Sequence, residues 1–424
     1  MQNKLIWLIG ASVALAGCGG SNENSNYLPM TRKNVTPEAV DRATKSLTLG
    51  KGAKVIQGAT DLGFRMFREI VGEKPSSNSF ISPLSISMAL GMTYNGAGGG
   101  TKEAFDKVLG LENLLITEVN PAMRDLQTTL VGADKKVTVN IANSIWTDRK
   151  FEPKREFLSA NTDYFAAKVQ SLDIQSPEAV KAINDWVKQE TEEKIPKLFD
   201  ELSPGTVCVL VNAIYFNGLW TTPFKKEDTK DLAFTGFDSK ESKTPMMSRS
   251  AHDFDYQKSD KFTAVRLPYG DARLSMVVLL PDQKVGLSPI IKELNAKNWA
   301  AWMAKFKPME GSVTIPKWKV EGTFELKKAL TDLGLGVAFE EGKADFTKLA
   351  SVKVGELFIS RVIHKTMVDV SEEGTEAAAA TGVDVALKSM APEMFEFIAN
   401  RPFLYAIVDK QTNLTLFFGV FGKP

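Results

Sequence analysis

Two histidines, His252 and His364, and two cysteines, Cys18 and Cys208, are all that this 424-residue chain offers for imidazole or thiolate chemistry. That is little material for a His-based metal site or a Ser-His-Asp triad. Two cysteines cannot build a disulfide framework. The spacings of the common catalytic motifs are missing too: there is no G-x-S-x-G, H-E-x-x-H, C-x-x-C or Walker A sequence. Gly98-Gly99-Gly100 lacks G-x-G-x-x-G spacing after a strand and reads as a loop, not a phosphate cradle. Lys225-Lys226 and Lys327-Lys328 read as solvated faces, and Lys317-Trp318-Lys319 is a single basic-aromatic triplet. With 52 Lys+Arg against 51 Asp+Glu, the net charge of +1 argues against binding nucleic acid by bulk charge. The residues thus point away from an enzyme, a metal site or a cofactor, and His252 has no assignable role.

Cys18 has more definite chemistry. Lys4 precedes an apolar run, Leu5 to Leu15, too short to span a bilayer as a helix. The run ends in Leu15-Ala16-Gly17-Cys18, which resembles a bacterial lipobox. That resemblance implies a signal peptide over 1–17, cut before Cys18, which becomes the lipidated first residue. Gly19, rather than aspartate, then suggests the outer membrane of a cell envelope, on its periplasmic or its surface face. The alternative is an ordinary signal peptide in which Cys18 is incidental. Removal of Lys4 leaves as many basic as acidic residues, a mature charge of zero. It also leaves Cys208 as the remaining thiol, in the β-rich run Val207 to Val211, where a buried inert thiol is expected. Residues 18–50, rich in Ser, Asn, Thr and Lys, read as the lipidated end and a flexible tether.

From about residue 51 to 424 helical and strand patterns interleave without a break in composition, which makes one mixed α/β domain. Apolar periodicity predicts helices over 61–71, 85–94 (after Ser82-Pro83) and 178–193, the last with Ile183, Trp186 and Val187 on one side. Strands are expected over 137–146, 207–216, 262–267, 275–280, 312–316, 359–370, 403–409 and 414–420.

The informative stretch is 372–402. From Thr375 onward, alternate residues divide into two faces. One carries Thr375, Ala377, Ala379, Thr381, Val383, Val385 and Leu387; the other carries Glu376, Ala378, Ala380, Gly382, Asp384 and Ala386. A strand of that pattern can bury its first face. The alanines give it poor strand propensity, and Gly374 and Gly382 give it mobility. A helix over 372–380 is the alternative, since Ala and Glu are strong helix formers. The segment can enter a sheet but need not begin there.

Glu372-Glu373-Gly374-Thr375-Glu376-Ala377-Ala378-Ala379-Ala380-Thr381 resembles the hinge of an inhibitory serpin. Further motifs extend the resemblance over about 51–424: Asn78-Ser79-Phe80-Ile81-Ser82-Pro83-Leu84-Ser85-Ile86, Val211-Asn212-Ala213-Ile214-Tyr215-Phe216-Asn217-Gly218-Leu219-Trp220, Leu267-Pro268-Tyr269, Arg401-Pro402-Phe403 and Phe417-Phe418-Gly419. The resemblance implies an α+β serpin fold with three β-sheets, eight or nine helices and an exposed reactive-centre loop over about 372–397. The family's known mechanism is suicide inhibition. A serine protease attacks the loop and forms an acyl-enzyme. The cut loop then inserts as a strand into the family's sheet A and disables the protease. Thr375 and Ala377–Ala380 have the small side chains such insertion needs.

The resemblance also implies a scissile bond fourteen residues after the hinge glycine, which is Lys388-Ser389. Lys388 is the only basic residue between Gly374 and Asn400, so a trypsin-like protease has one attractive bond there. A register shift would instead offer Leu387 or Met390 to chymotrypsin-, elastase- or subtilisin-like enzymes. Ser82, Ser85, Asn212 and His364 match the family's "shutter" under the opening strands, and Trp220 matches its "breach". The implied partner is a serine protease held covalently, with cysteine proteases a further class; a monomer without cofactor is expected. The competing reading is a non-inhibitory, substrate-type serpin acting as a binding module. A lipoprotein enzyme with an unrecognised site has no positive support in the sequence.

Overall fold

The computed structural model describes residues 34–72, 75–202, 204–375 and 394–424. Cys18 and the hinge residues Glu376, Ala377, Ala378, Ala379, Ala380 and Thr381 lie outside the described residues, as do Lys388 and Ser389.

The strands fall into two hydrogen-bonded sheets. The larger has nine strands. Ser79–Ile81, Thr415–Phe421, Phe403–Asp409, Leu274–Pro281, Phe262–Pro268, Glu241–Lys258, Lys307–Pro316 and Phe395–Ile398 follow one another, and Lys230–Thr235 pairs with Glu241–Lys258. Strand 241–258 shifts register between Ala251 and Phe254. Its first part pairs with 230–235 and its last with 262–268. One long strand therefore joins what are otherwise two sheets, and the expected three sheets appear as two connected units. Strands 274–281, 403–409 and 415–421 are buried along their whole length, as their continuous apolar runs require.

The second sheet has six strands in the order Trp318–Glu325, Ile363–Val370, Gly374–Thr375, Cys208–Leu219, Val137–Asp148, Ala167–Leu172. All neighbours are antiparallel except the last pair. Helix Pro83–Tyr94 is buried on nearly every side. Ser82 starts it: its hydroxyl accepts from the Ser85 N–H and Pro83 occupies the first turn. Helix Pro177–Glu190 packs Ile183, Trp186 and Val187 with Trp146, Val209, Val211 and Ala213 in a small cluster on the sheet's other face.

All the strands and helices expected from periodicity are present, with ends moved by up to five residues, except that the helix expected over 61–71 begins eleven residues earlier, at Gly50. One reading is corrected. The tether reading of 18–50 fails for Pro37–Thr48, which is a helix. The Thr36 hydroxyl accepts from the Ala39 N–H, Pro37 sits in the first turn, and Ala43 and Leu47 are buried. Its apolar positions are few and widely spaced, so the polar composition hid a legible start signal. Among the described residues no helix is long and apolar enough to cross a membrane.

Candidate functional site

The six-stranded sheet holds a slot. Strand 208–219 spends one edge on 137–148, from Cys208 opposite Thr147 to Gly218 opposite Val137. Its other edge pairs only at Gly218 and Leu219, with Thr375 and Gly374. Strand 363–370 likewise pairs along its length with 318–325 and otherwise only through Val370, opposite Thr375. Below that two-residue rung, neither edge has a strand partner among the described residues. Two such edges, unpaired among the described residues, form a template for one more strand.

The rung is held from several directions. Ser371 and Gly374 exchange backbone hydrogen bonds at 2.9 and 3.3 Å, turning the chain back into the sheet. The Trp220 N–H donates to the Glu373 carbonyl at 2.9 Å, and its indole Nε1 donates to the Ser371 carbonyl at 3.0 Å. Trp220 stacks on Tyr269, ring centroids 4.4 Å apart. The Tyr269 hydroxyl lies 2.7 Å from Thr375 Oγ1, and the Thr375 side chain is buried. Burial holds the Tyr269 phenol far above its ordinary pKa, so it stays neutral. Gly374 has φ +152°, and a Cβ there would stand 2.2 Å from the Gly218 carbonyl oxygen. Only glycine fits so close to strand 208–219.

Glu372 is 4% exposed. Its carboxylate accepts from the Thr229 hydroxyl at 2.9 Å and pairs with Lys317 Nζ at 3.0 Å. Burial alone would raise its pKa, but its backbone N–H, Lys317 and Thr229 outweigh that and leave it below the usual carboxylate value. Next to it, Glu373 pairs with Lys226 at 2.8 Å, which raises the Lys226 pKa.

Lower in the slot, strand residues 208–212 and the segment 357–364 line a cleft of about 250 Å³, floored by helix residues that include Ser85 and Ile86. Three of the four expected shutter residues are joined here. The Ser82 N–H donates to His364 Nε2 at 2.9 Å, the Ser82 hydroxyl donates to the Leu416 carbonyl at 2.8 Å, and the Ser85 N–H donates to Ser82 Oγ at 3.1 Å. Asn212 lines the same cleft but bonds elsewhere: its Nδ2 donates to Asn143 Oδ1 at 2.8 Å, and Asn143 in turn donates to Gln127. Asn212 Oδ1 is buried without a partner among the described residues. Cys208 also lines the cleft. The residue is partly rather than fully buried, and burial of the thiol pushes its pKa up to about 12, which disfavours the nucleophilic thiolate.

His364 is 5% exposed, and burial pushes its pKa down to about 3. It is neutral, with Nε2 accepting and the proton on Nδ1. The unfolded chain binds this proton near pH 6.5, while the folded chain resists it down to about pH 3. The resulting stability is complete above pH 6.5 and is lost as pH falls toward 3, by a few kcal/mol in order of magnitude. Denaturant titrations should therefore show the wild type losing stability more steeply than His364→Gln as pH falls from 6.5 toward 3, with no pH-dependent difference between them above 6.5. Parallel curves would exclude this linkage.

Sequence patterns singled out Trp220, Glu372, Gly374 and Thr375, and the structure brings them together. Lys317 stood out only as part of a basic-aromatic triplet, and Thr229 and Asn143 carry no local signal; all three reach the site only through tertiary folding.

Comparison with known proteins agrees with this geometry. The family model described as Serpin (serine protease inhibitor) matches residues 57–424. The chain is similar to the leukocyte elastase inhibitor of Bos taurus, 36% identical over 371 residues, covering 85% of this chain and 96% of that protein. It is similar to the glia-derived nexin of Rattus norvegicus, 33% identical over 377 residues, covering 86% and 92%. Among solved structures it resembles tengpin, a thermophilic serpin, in the native state, with TM-score 0.80 and 32% identity over 87% of this chain and 94% of that one.

Proposed function

This chain belongs to the serpin family, protease inhibitors rather than catalysts, and from that premise we propose that it traps a trypsin-like serine protease by being cut at Lys388-Ser389 and inserting the freed strand into the slot. The observation that carries the proposal is the half-made sixth strand, Gly374–Thr375, seated at the head of two edges that have no other strand partner among the described residues.

Continuing that register fits the loop to the slot. Thr375 opposes Gly218 on one side and Val370 on the other. Counting on, Ala377 would meet Phe216 and Val368, Ala379 would meet Ile214 and Thr366, and Thr381 would meet Asn212 and His364. These are the residues of the small, apolar face read from the alternation, and their opposite numbers face the core or the cleft. Thr381 would bring a hydroxyl to Asn212 Oδ1, which has no partner among the described residues. In that sense Ser82, Ser85, Asn212 and His364 act as a shutter and Trp220 marks the breach.

The chemistry is that of an interrupted acyl transfer. The protease serine Oγ attacks the Lys388 carbonyl carbon, the amide bond to Ser389 breaks, and the new amino terminus of Ser389 leaves with the proton. The ester to Lys388 remains. An uncut loop is tied at both ends, by the Gly374–Thr375 rung and by strand Phe395–Ile398. Cutting releases an arm long enough to run residues 376–385 down to Cys208. Ten added rungs, at about 1 kcal/mol per net hydrogen bond, amount to an energy of order 10 kcal/mol. That rivals the whole stability of an ordinary domain, about 5–15 kcal/mol, and is enough to displace and distort an attached protease.

The test is to mix the protein with trypsin at near-equal amounts. A band at the summed mass, resistant to boiling in SDS, with cleavage mapped after Lys388, is expected. Clean cleavage with trypsin fully active would favour the substrate-type reading. Lys388→Leu should move the preference toward chymotrypsin- and elastase-like enzymes.

We further propose that Cys18 is lipidated and tethers the inhibitor to the cell envelope, at the outer membrane. Cys18→Ala should move the protein from the membrane to the soluble fraction and abolish acyl-chain labelling. Unchanged fractionation would rule the anchor out.

A further inference from the structure

Among the described residues the two most exposed large apolar side chains are leucines, Leu49 at 72% and Leu115 at 66%. A single exposed leucine is ordinary; two at one place are not. Both occupy the cap position of a helix: Leu49 precedes Gly50–Val71, and Leu115 precedes Ile116–Val131. That position favours Ser, Thr, Asp or Asn, whose side chains accept from the first free N–H groups, and neither leucine makes such a bond. Their side chains thus serve neither the helix ends nor the core.

The fold brings the two caps together. Val40 of helix Pro37–Thr48 packs at Gly132, just past one end of helix Ile116–Val131, and Lys51 pairs with Glu118 at the other end. Glu118 also accepts from the Leu115 N–H at 2.9 Å. One carboxylate therefore joins the two segments that carry the leucines. Lys54 stands close enough to act on the same carboxylate, and Lys45 lies one turn before Leu49. All three lysines are exposed. Two leucines ringed by ammonium groups suit the boundary of a bilayer, where apolar side chains enter the acyl edge and cations meet phosphates.

We propose that this tip, Leu49 and Leu115 with Lys45, Lys51 and Lys54, docks into the lipid bilayer that holds the chain. The proposal rests on the lipid anchor at Cys18. Fifteen residues, 19–33, separate Cys18 from Asn34, the first described residue. That length spans at most about 55 Å, and helix Pro37–Thr48 adds about 18 Å before Leu49. The tip lies within reach of the anchoring surface. An anchor of that reach holds the tip at an effective concentration of order mM, so a contact too weak to bind by itself is occupied. Docking fixes which way the inhibitor faces. The tip shares no residue with the slot or its rung, so its occupancy is separable from protease trapping.

The experiment takes the purified full chain, reconstitutes it with vesicles of phosphatidylethanolamine and phosphatidylglycerol, and reads hydrogen exchange. The first N–H groups of a helix have no partner within it, so those of Gly50, Lys51, Ile116 and Thr117 exchange fast in water. On vesicles, docking at the effective concentration the anchor provides should slow them roughly fivefold relative to the Leu49→Ser/Leu115→Ser variant, with core amides alike in both. Serine is the better cap, so the variant keeps its fold, and it should trap trypsin as the wild type does. A chain that never associates with the vesicles would overturn the lipid anchor and the docking with it. A chain that associates but exchanges these amides as fast as the variant would overturn the docking alone. A wild-type dimer in light scattering without lipid, dissociated by the two serines, would assign the tip to a second copy and overturn the docking too.

Discussion

Thr375→Arg should convert the protein from an inhibitor into a substrate. In the resting structure Thr375 is 2% exposed and its hydroxyl lies 2.7 Å from that of Tyr269, the ring on which Trp220 stacks. A guanidinium cannot lie there without a countercharge. Burying an unpaired charge costs several kcal/mol even after relaxation, so the rung would leave the sheet and the strand would lose its leading residue. Trapping is a race between insertion and hydrolysis of the acyl-enzyme, and each 1.4 kcal/mol on the insertion barrier slows it about tenfold. A penalty of about 3 kcal/mol would slow insertion more than a hundredfold. Cleavage after Lys388 should continue, the SDS-stable complex should disappear, and trypsin should retain its activity. Thr375→Ser, which keeps the hydroxyl and the size, should trap normally. If Thr375→Arg still formed the complex at wild-type stoichiometry, insertion through this rung would be the wrong mechanism.

The second large effect is expected at Glu372. Its carboxylate is nearly enclosed, paired with Lys317 and bonded to Thr229. Glu372→Lys would set an ammonium against Lys317 and bring a second positive charge toward Lys226, whose pKa the Glu372 charge now helps to raise. Breaking a buried pair by removing one partner typically costs about 3–5 kcal/mol. Lys317 is 42% exposed on its side chain, so solvent screens part of that, and about 2–3 kcal/mol is the better expectation. The 371–374 turn would then release the rung and leave both strand edges open along their length. Open edges pair with strands of other chains. The variant should therefore melt several degrees lower and form concentration-dependent oligomers visible by light scattering. The reversed pair, Glu372→Lys with Lys317→Glu, should recover most of the loss. A double variant no better than the single one would show that the Glu372–Lys317 contact is incidental.

Much of this fold was legible in the chain. Helix 83–94 announces itself through Ser82-Pro83, and strands 274–281, 403–409 and 415–421 through unbroken apolar runs. Helix 37–48 was misread, because a helix that buries only Ala43 and Leu47 differs little in composition from a tether. The hinge alternation was readable as a capacity, and strand and helix remained equal candidates for 372–380. For its described part the structure chooses strand, at Gly374–Thr375.

By itself, the sequence determined the family, the alternating faces of the hinge and the absence of the known catalytic spacings, because these depend only on residue order and side-chain type. Tertiary structure alone decided that the rung is already seated and what holds it. Tyr269 lies 106 residues from Thr375, and Thr229 lies 143 residues from Glu372. No local pattern encodes such pairings. They exist because two sheets and a buried helix bring distant edges within hydrogen-bond reach, where burial makes each polar contact strong and each missing one costly.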